Sequence, residues 1–257
     1  MRRLLNAALA AVLLAPLAAA VAPATRVPVV VELFTSEGCS DCPPADALLA
    51  GLDRTQPVPG ALVIPLEEHV DYWDHQGWRD PFSSHAITER QEKYAGQLRI
   101  ASPYTPQMVV DGRTDLVGSA SSEARAAIEA AARAPHVEVT LALANSAAAG
   151  EPLHATIRAG ALPGEINEQT DAWLAVTEDG LSSKVAAGEN AGRSLEHAAV
   201  VRSLATVGHV ARGETLAAAA DVRIAPIWKR ENLRVVVFLS GAASGRIYGA
   251  ATARLKP

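Results

Sequence analysis

Apolar and polar positions change their rhythm near Pro135. Before it, short apolar runs alternate with stretches of helical period. Residues 29–34 and 61–66 are largely apolar runs of strand length, the pattern of strands buried on both faces. Residues 43–52 predict a helix: proline suits a first turn, where its missing N–H costs nothing, and Leu48, Leu49 and Leu52 share one face. A polar and aromatic stretch, residues 69–82, leads into a second predicted helix over 84–98. Residues 107–117 predict a hairpin, because Asp111-Gly112 is a strong two-residue turn signal. Residues 121–134, rich in Ala with serines at the start and Glu123 in the first turn, predict a third helix. The order β-α-β-α-β-β-α makes residues 27–134 an α/β unit.

Beyond Pro135, residues 137–143, 153–157, 172–176, 195–207, 216–222, 233–239 and 246–253 read as short strands, several strictly alternating, separated by Gly, Asn and Pro. Strands at this spacing predict an all-β sandwich of immunoglobulin-like type over residues 135–257.

Composition changes the picture mainly through location. Met1-Arg-Arg-Leu-Leu, an Ala/Leu-rich run and small residues at Ala18–Ala20 are the parts of a secretory signal peptide, residues 1–22, cleaved after Ala20 or Ala22. An uncleaved anchor is the alternative, since the run approaches spanning length, but no basic stop-transfer cluster follows. The expected product is exported, periplasmic or secreted, without stable membrane insertion. With 23 Lys+Arg against 28 Asp+Glu, a net charge of −5 and no basic run, nucleic acid and anionic membrane surfaces are poor partners.

The two cysteines, Cys39 and Cys42, lie in Gly38-Cys-Ser-Asp-Cys-Pro-Pro44, between a predicted strand and a predicted helix. Free N–H groups and the positive dipole end at a helix start favour a thiolate, which assigns Cys39 as nucleophile and Cys42 as resolving thiol. Asp41 between them opposes thiolate formation and tilts the pair towards reduction or isomerisation. Two other readings stay open. A metal site needs two further ligands, for which His69, Asp71, Asp74, His75 and His85 lack a recognisable spacing. A structural staple closing so short a loop removes little chain entropy. Thr105-Pro106 stands directly before the hairpin, where a proline without a ladder N–H belongs at a strand start and can be cis.

Cys-x-x-Cys at a strand-to-helix turn together with Thr-Pro before the third strand resembles the thioredoxin superfamily. The resemblance implies a thioredoxin-like domain over 27–134, a cis Pro106 packed beside Cys39 and Cys42, and docking of an extended substrate strand on the Thr105 backbone. It also suggests Glu32, inside the first strand, as a proton acceptor for Cys42, although a one-residue shift of register would turn it to the other face. Departures are the missing Trp-Cys-Gly-Pro-Cys signature, Gly38 before the first cysteine, and an aromatic, acidic insertion at about 68–98 whose Tyr72, Trp73, Trp78 and Phe82 line a substrate groove or fill the core.

The segments 31–46, His69-Val-Asp-Tyr-Trp-Asp74, Gly77-Trp-Arg-Asp-Pro-Phe82, Tyr104-Thr-Pro-Gln-Met-Val-Val-Asp-Gly112, Gly188-Glu-Asn-Ala-Gly-Arg193 and Val200-Val-Arg202 are similar to a secreted bacterial family catalogued as domain of unknown function 1223. The expected fold is therefore a thioredoxin-like α/β domain followed by an all-β sandwich. The expected activity is exported thiol–disulfide exchange with protein thiols or disulfides and a redox partner protein, using no cofactor beyond the dithiol. Alternatives are metal handling by both thiolates plus His69, and a non-enzymatic binding module. His69 reads as scaffolding rather than catalysis, and Arg193 and Arg202 as partners of Glu189 and Glu196.

Overall fold

The computed structural model describes residues 26–144 and 152–255; the signal peptide expected at 1–22 lies outside them. Thirteen strands and three α-helices are described. Strands β1 (Val27–Thr35) and β2 (Ala61–His69) flank helix α1 (Pro43–Thr55) in sequence and pair in parallel. Helix α2 (His85–Leu98) follows, then the hairpin β3 (Gln107–Val110) and β4 (Thr114–Val117), and helix α3 (Ser121–Ala132). The remainder is β5 (Val139–Leu143), β6 (Leu153–Ala159), β7 (Thr170–Glu178), β8 (Leu181–Lys184), β9 (Ser194–His197), β10 (Val200–Val210), β11 (Leu216–Val222), β12 (Leu233–Gly241) and β13 (Ile247–Arg254).

The expected chain of a thioredoxin-like domain and a separate immunoglobulin-like sandwich is overturned. Strands from both sides of Pro135 build one mixed eight-stranded sheet in the order β13-β12-β7-β10-β2-β1-β3-β4. The junction is narrow: β10 meets β2 in parallel at Val200 opposite Glu67, with the Glu67 N–H donating to the Ala199 carbonyl. A three-stranded sheet, β11-β6-β5, covers part of the large one, and β8–β9 form a separate hairpin. Alternation identifies a strand and its buried face but not its neighbour. The outer edge of β2, left open by the first half alone, is met by β10 at its C-terminal end, at Glu67.

Alternate residues of β1 serve two cores. Val29, Val31 and Leu33 pack with Leu49 and Leu52 of α1 and with Ala124 and Ile128 of α3. Val30 and Phe34 face Ile87 and Tyr94 of α2, in a core that also takes in Ala175, Val236 and Phe238 from β7 and β12. Helix α2 thus covers strands from both halves of the chain. Leu174, Val176, Val235 and Val237 point the other way, against Leu153, Ala155 and Ile157 of β6. Among the described residues no helix is long and apolar enough to cross a membrane.

Candidate functional site

The parallel strands β1 and β2 end side by side at Thr35 and His69, and the chain leaves β1 through two tight turns. The Cys39 N–H donates to the Ser36 carbonyl at 3.1 Å and the Cys42 N–H to the Cys39 carbonyl at 3.2 Å. Cys39 and Cys42 are joined as a disulfide with Cα atoms 5.4 Å apart, and both are buried (2 % and 0 % exposed), while Ser40 and Asp41 are exposed. Cys42 is the residue immediately before α1. Pro43 and Pro44 bring no N–H, and the Ala45 and Asp46 N–H groups both donate to the Cys42 carbonyl. The first turn therefore offers fewer free donors to a thiolate than an ordinary helix start.

Gly38 is explained by Trp73: a Cβ on Gly38 would lie 3.1 Å from the Trp73 Cβ. The Trp73 indole N–H donates to Thr105 Oγ1 at 2.9 Å, and the Thr105-Pro106 bond is cis. A Cβ on Gly118 would touch both Ala45 of α1 and Pro106, which puts that proline beside the first turn of α1. The structure thus gathers Cys39, Cys42, Thr105 and Pro106 at one end of the sheet. Glu32 lies elsewhere, on the α2 face of β1, where Tyr94 Oη donates to Oε2 at 2.6 Å and Arg90 Nε to Oε1 at 2.7 Å.

A loop from the second half clasps the cysteine turn. Asn190 Nδ2 donates to the carbonyls of Glu37 and Cys39, each at 2.9 Å, and its Oδ1 accepts from Arg193. Glu189 Oε2 accepts the Ser40 N–H at 3.0 Å. Arg193 and Arg202 do not take the expected partners: Arg193 orients Asn190, and Arg202, at a bulge in β10, lies 3.5 Å from Glu178 and over the Phe82 and Trp228 rings.

Beneath the turn lies a buried acid–histidine cluster that the sequence did not reveal as a unit. Asp80 Oδ2 meets His69 Nδ1 at 2.7 Å; His69 Nε2 faces Glu67 Oε1 at 3.3 Å; Glu67 Oε1 meets His197 Nδ1 at 2.6 Å; His197 Nε2 faces Glu37 Oε1 at 3.1 Å. The carboxylates are anchored in turn: Asp80 accepts the Glu37 N–H, Glu37 the Trp78 indole N–H, and Glu67 the Ala198 N–H, all at 2.8 Å. Burial opposes charge on both imidazoles, but the contacting carboxylates outweigh it. They raise His69 well above the ordinary histidine range and His197 to about 9.

Asp46, in the first turn of α1, completes the site. Burial, then the charge of Glu67, pushes its carboxyl up to about 7, against the hydrogen bond it accepts from Thr35 Oγ1 at 2.7 Å. The available signal was the string Leu66-Glu-Glu-His69, three ionisable residues continuing a buried strand, together with Glu37 and Asp46 on either side of the cysteines. Nothing in the spacing connected them to His197, 130 positions beyond Glu67.

A family model described as "Protein of unknown function (DUF1223)" matches residues 30–240. A crystal structure of a protein from Agrobacterium tumefaciens is 29 % identical, with a TM-score of 0.69, covering 88 % of this chain and 94 % of that one. HBP35 of Porphyromonas gingivalis is 17 % identical, with a TM-score of 0.64, covering 90 % of this chain and 76 % of that one, a likeness of fold alone. No curated protein matches the chain.

Proposed function

The chain belongs to the DUF1223 family, and from that premise we propose that it is an exported thiol–disulfide oxidoreductase of the reducing or isomerising type. The observation that carries this reading is the Cys39–Cys42 disulfide at the start of α1 with the buried carboxyl of Asp46 one turn further along the same helix. Export follows from the N-terminal signal pattern and suits a pair that cycles through a disulfide.

In the reduced protein the Cys39 thiolate attacks one sulfur of a substrate disulfide, forming a mixed disulfide and releasing the other substrate sulfur as a thiol that takes up a proton. Asp46 then accepts the Cys42 proton. The Cys42 thiolate attacks Cys39 Sγ, the substrate leaves as a dithiol, and the Cys39–Cys42 disulfide re-forms. Two electrons pass to the substrate, and a dithiol partner protein returns them. The exposed Ser40-Asp41 edge is the side of approach, and Thr105 with Trp73 forms the neighbouring wall.

The poise follows from the donors. Two prolines, two N–H groups engaged by the Cys42 carbonyl, and the carboxylates of Asp41 and Glu189 near the turn all disfavour a thiolate. An unstabilised reduced form lowers the reduction potential, towards about −270 mV rather than the about −120 mV of a strong oxidant. Glutathione-buffer titration of the Cys39–Cys42 pair, paired with insulin reduction, checks both points. Insulin turnover is expected in the intact protein and lost in Cys39→Ser. Turnover that survives that substitution, or none at all with a reduced Cys39–Cys42 pair, defeats the reading.

A further inference from the structure

We propose that Glu67, His69 and His197 form a binding site for a divalent transition metal of the zinc type, separate from the two cysteines. One ligand atom from each residue lies within 4.8 Å of the other two, and all three side chains are buried. The donors are Glu67 Oε1, His69 Nε2 and His197 Nδ1. Two nitrogens and one carboxylate oxygen are a set that tetrahedral zinc takes, with a fourth position left for water.

The spacing fits. Ligand atoms about 2.0–2.1 Å from a tetrahedral zinc stand about 3.3 Å apart. Glu67 Oε1 to His69 Nε2 is already 3.3 Å, and Glu67 Oε1 to His197 Nδ1 must open from 2.6 Å.

The surroundings carry the argument further. A metal-bound histidine donates its other ring N–H to a carboxylate or carbonyl, which fixes the tautomer and aims the free lone pair. Both histidines have that partner here, on the nitrogen facing away from Glu67: Asp80 at His69 Nδ1 and Glu37 at His197 Nε2. Glu67 Oε2 is held by the Ala198 N–H, which leaves Oε1 to bind in monodentate fashion. Three carboxylates, Glu37, Glu67 and Asp80, thus meet two imidazoles with no Lys or Arg in a salt bridge to any of them among the described residues. A divalent cation takes the place of the ring protons that both imidazoles give up when they ligate it, and so keeps positive charge among the three carboxylates.

The test separates this site from the dithiol by removing both thiols. Untagged, signal-free Cys39→Ser/Cys42→Ser protein, unfolded and refolded with Zn(II) and then desalted, is expected to retain about one Zn(II) per chain, as tetrahedral His₂Glu ligation predicts. Co(II) in its place should give an intense tetrahedral-type visible spectrum without thiolate-to-metal charge transfer. Glu67→Gln should abolish stoichiometric uptake, and Asp80→Asn should weaken it about 10–100-fold. If the double-serine protein is folded by circular dichroism yet takes up no metal, the two imidazoles are held by protons alone and the proposal fails. Undiminished zinc in folded Glu67→Gln and His197→Gln proteins assigns the metal to surface histidines and overturns it equally. Neither result bears on thiol exchange, because the protein tested lacks both cysteines.

Discussion

Asp46 and His197 respond to pH in the same sense although one is an acid and the other a base. The folded pKa of Asp46 is raised from an ordinary 3.8 to about 7, so its contribution is complete below 3.8 and is lost as pH rises to about 7. His197 contributes fully below 6.5 and loses that contribution as pH rises through about 9. Metal-free protein should therefore unfold at a lower urea concentration at pH 9 than at pH 6; equal midpoints would contradict the raised His197. Asp46→Asn keeps the oxygen that accepts from Thr35 and removes the ionisation. It is expected to stabilise the protein at pH 8 by no more than about 4 kcal/mol, to slow thiol exchange, and to erase the inflection near pH 7 in the rate profile. A variant with wild-type rate and inflection would remove Asp46 from the proton path. At this scale the sequence made Cys39, Cys42, Thr105 and Pro106 legible because each has a local signature, a spacing or a ring without an N–H. Glu37, Asp46 and Asn190 were not legible, because their roles come from neighbours far along the chain.

Helix α2 shows what one element does for two strands. Its Arg90 reaches between Glu32 of β1 and Glu68 of β2, and its guanidinium lies over the rings of Tyr94, Trp173 and Phe238. The nearest Arg90 nitrogen is 3.6 Å from Glu68, neither Glu68 oxygen has a hydrogen-bond partner, and burial, then the charge of Glu32, pushes this carboxyl well above the usual range. Arg90→Met leaves the buried Glu32 carboxylate without its cation, so a loss of about 3–5 kcal/mol is expected from urea unfolding. Glu32→Gln should cost less and leave the exchange rate within about twofold, as the α2 face requires. A large fall in that rate would return Glu32 to the proton path. Periodicity placed α1, α2 and α3 to within a few residues, since each has one apolar face. It joined β9 and β10 into one strand, because Ala199, with φ of 59°, breaks the run without a glycine or proline to mark the break.

For the whole molecule, the change of rhythm at Pro135 records where helices stop, not where one folding unit ends. Strands after it complete the sheet begun before it, and α2 packs on both. The turn at Gly112 meets the second half so closely that a Cβ there would lie 1.9 Å from the Gly245 carbonyl oxygen. Arg234 of β12 forms a two-pronged ion pair with Asp53 of α1. Residues 26–134 expressed alone are therefore expected to show no cooperative thermal unfolding, with the β2 edge and the α2 face uncovered. A sharp calorimetric transition from that fragment would restore the two-domain picture.

The rung between β10 and β2 has a mechanical consequence. β10 and β2 share a single paired rung, and the residue on it is Glu67, whose carboxylate grips both imidazoles. Stiffness between the halves and occupancy of the histidine cluster thus share one coordinate. Whatever fixes the Glu67 side chain also braces the sheet at the rung it occupies.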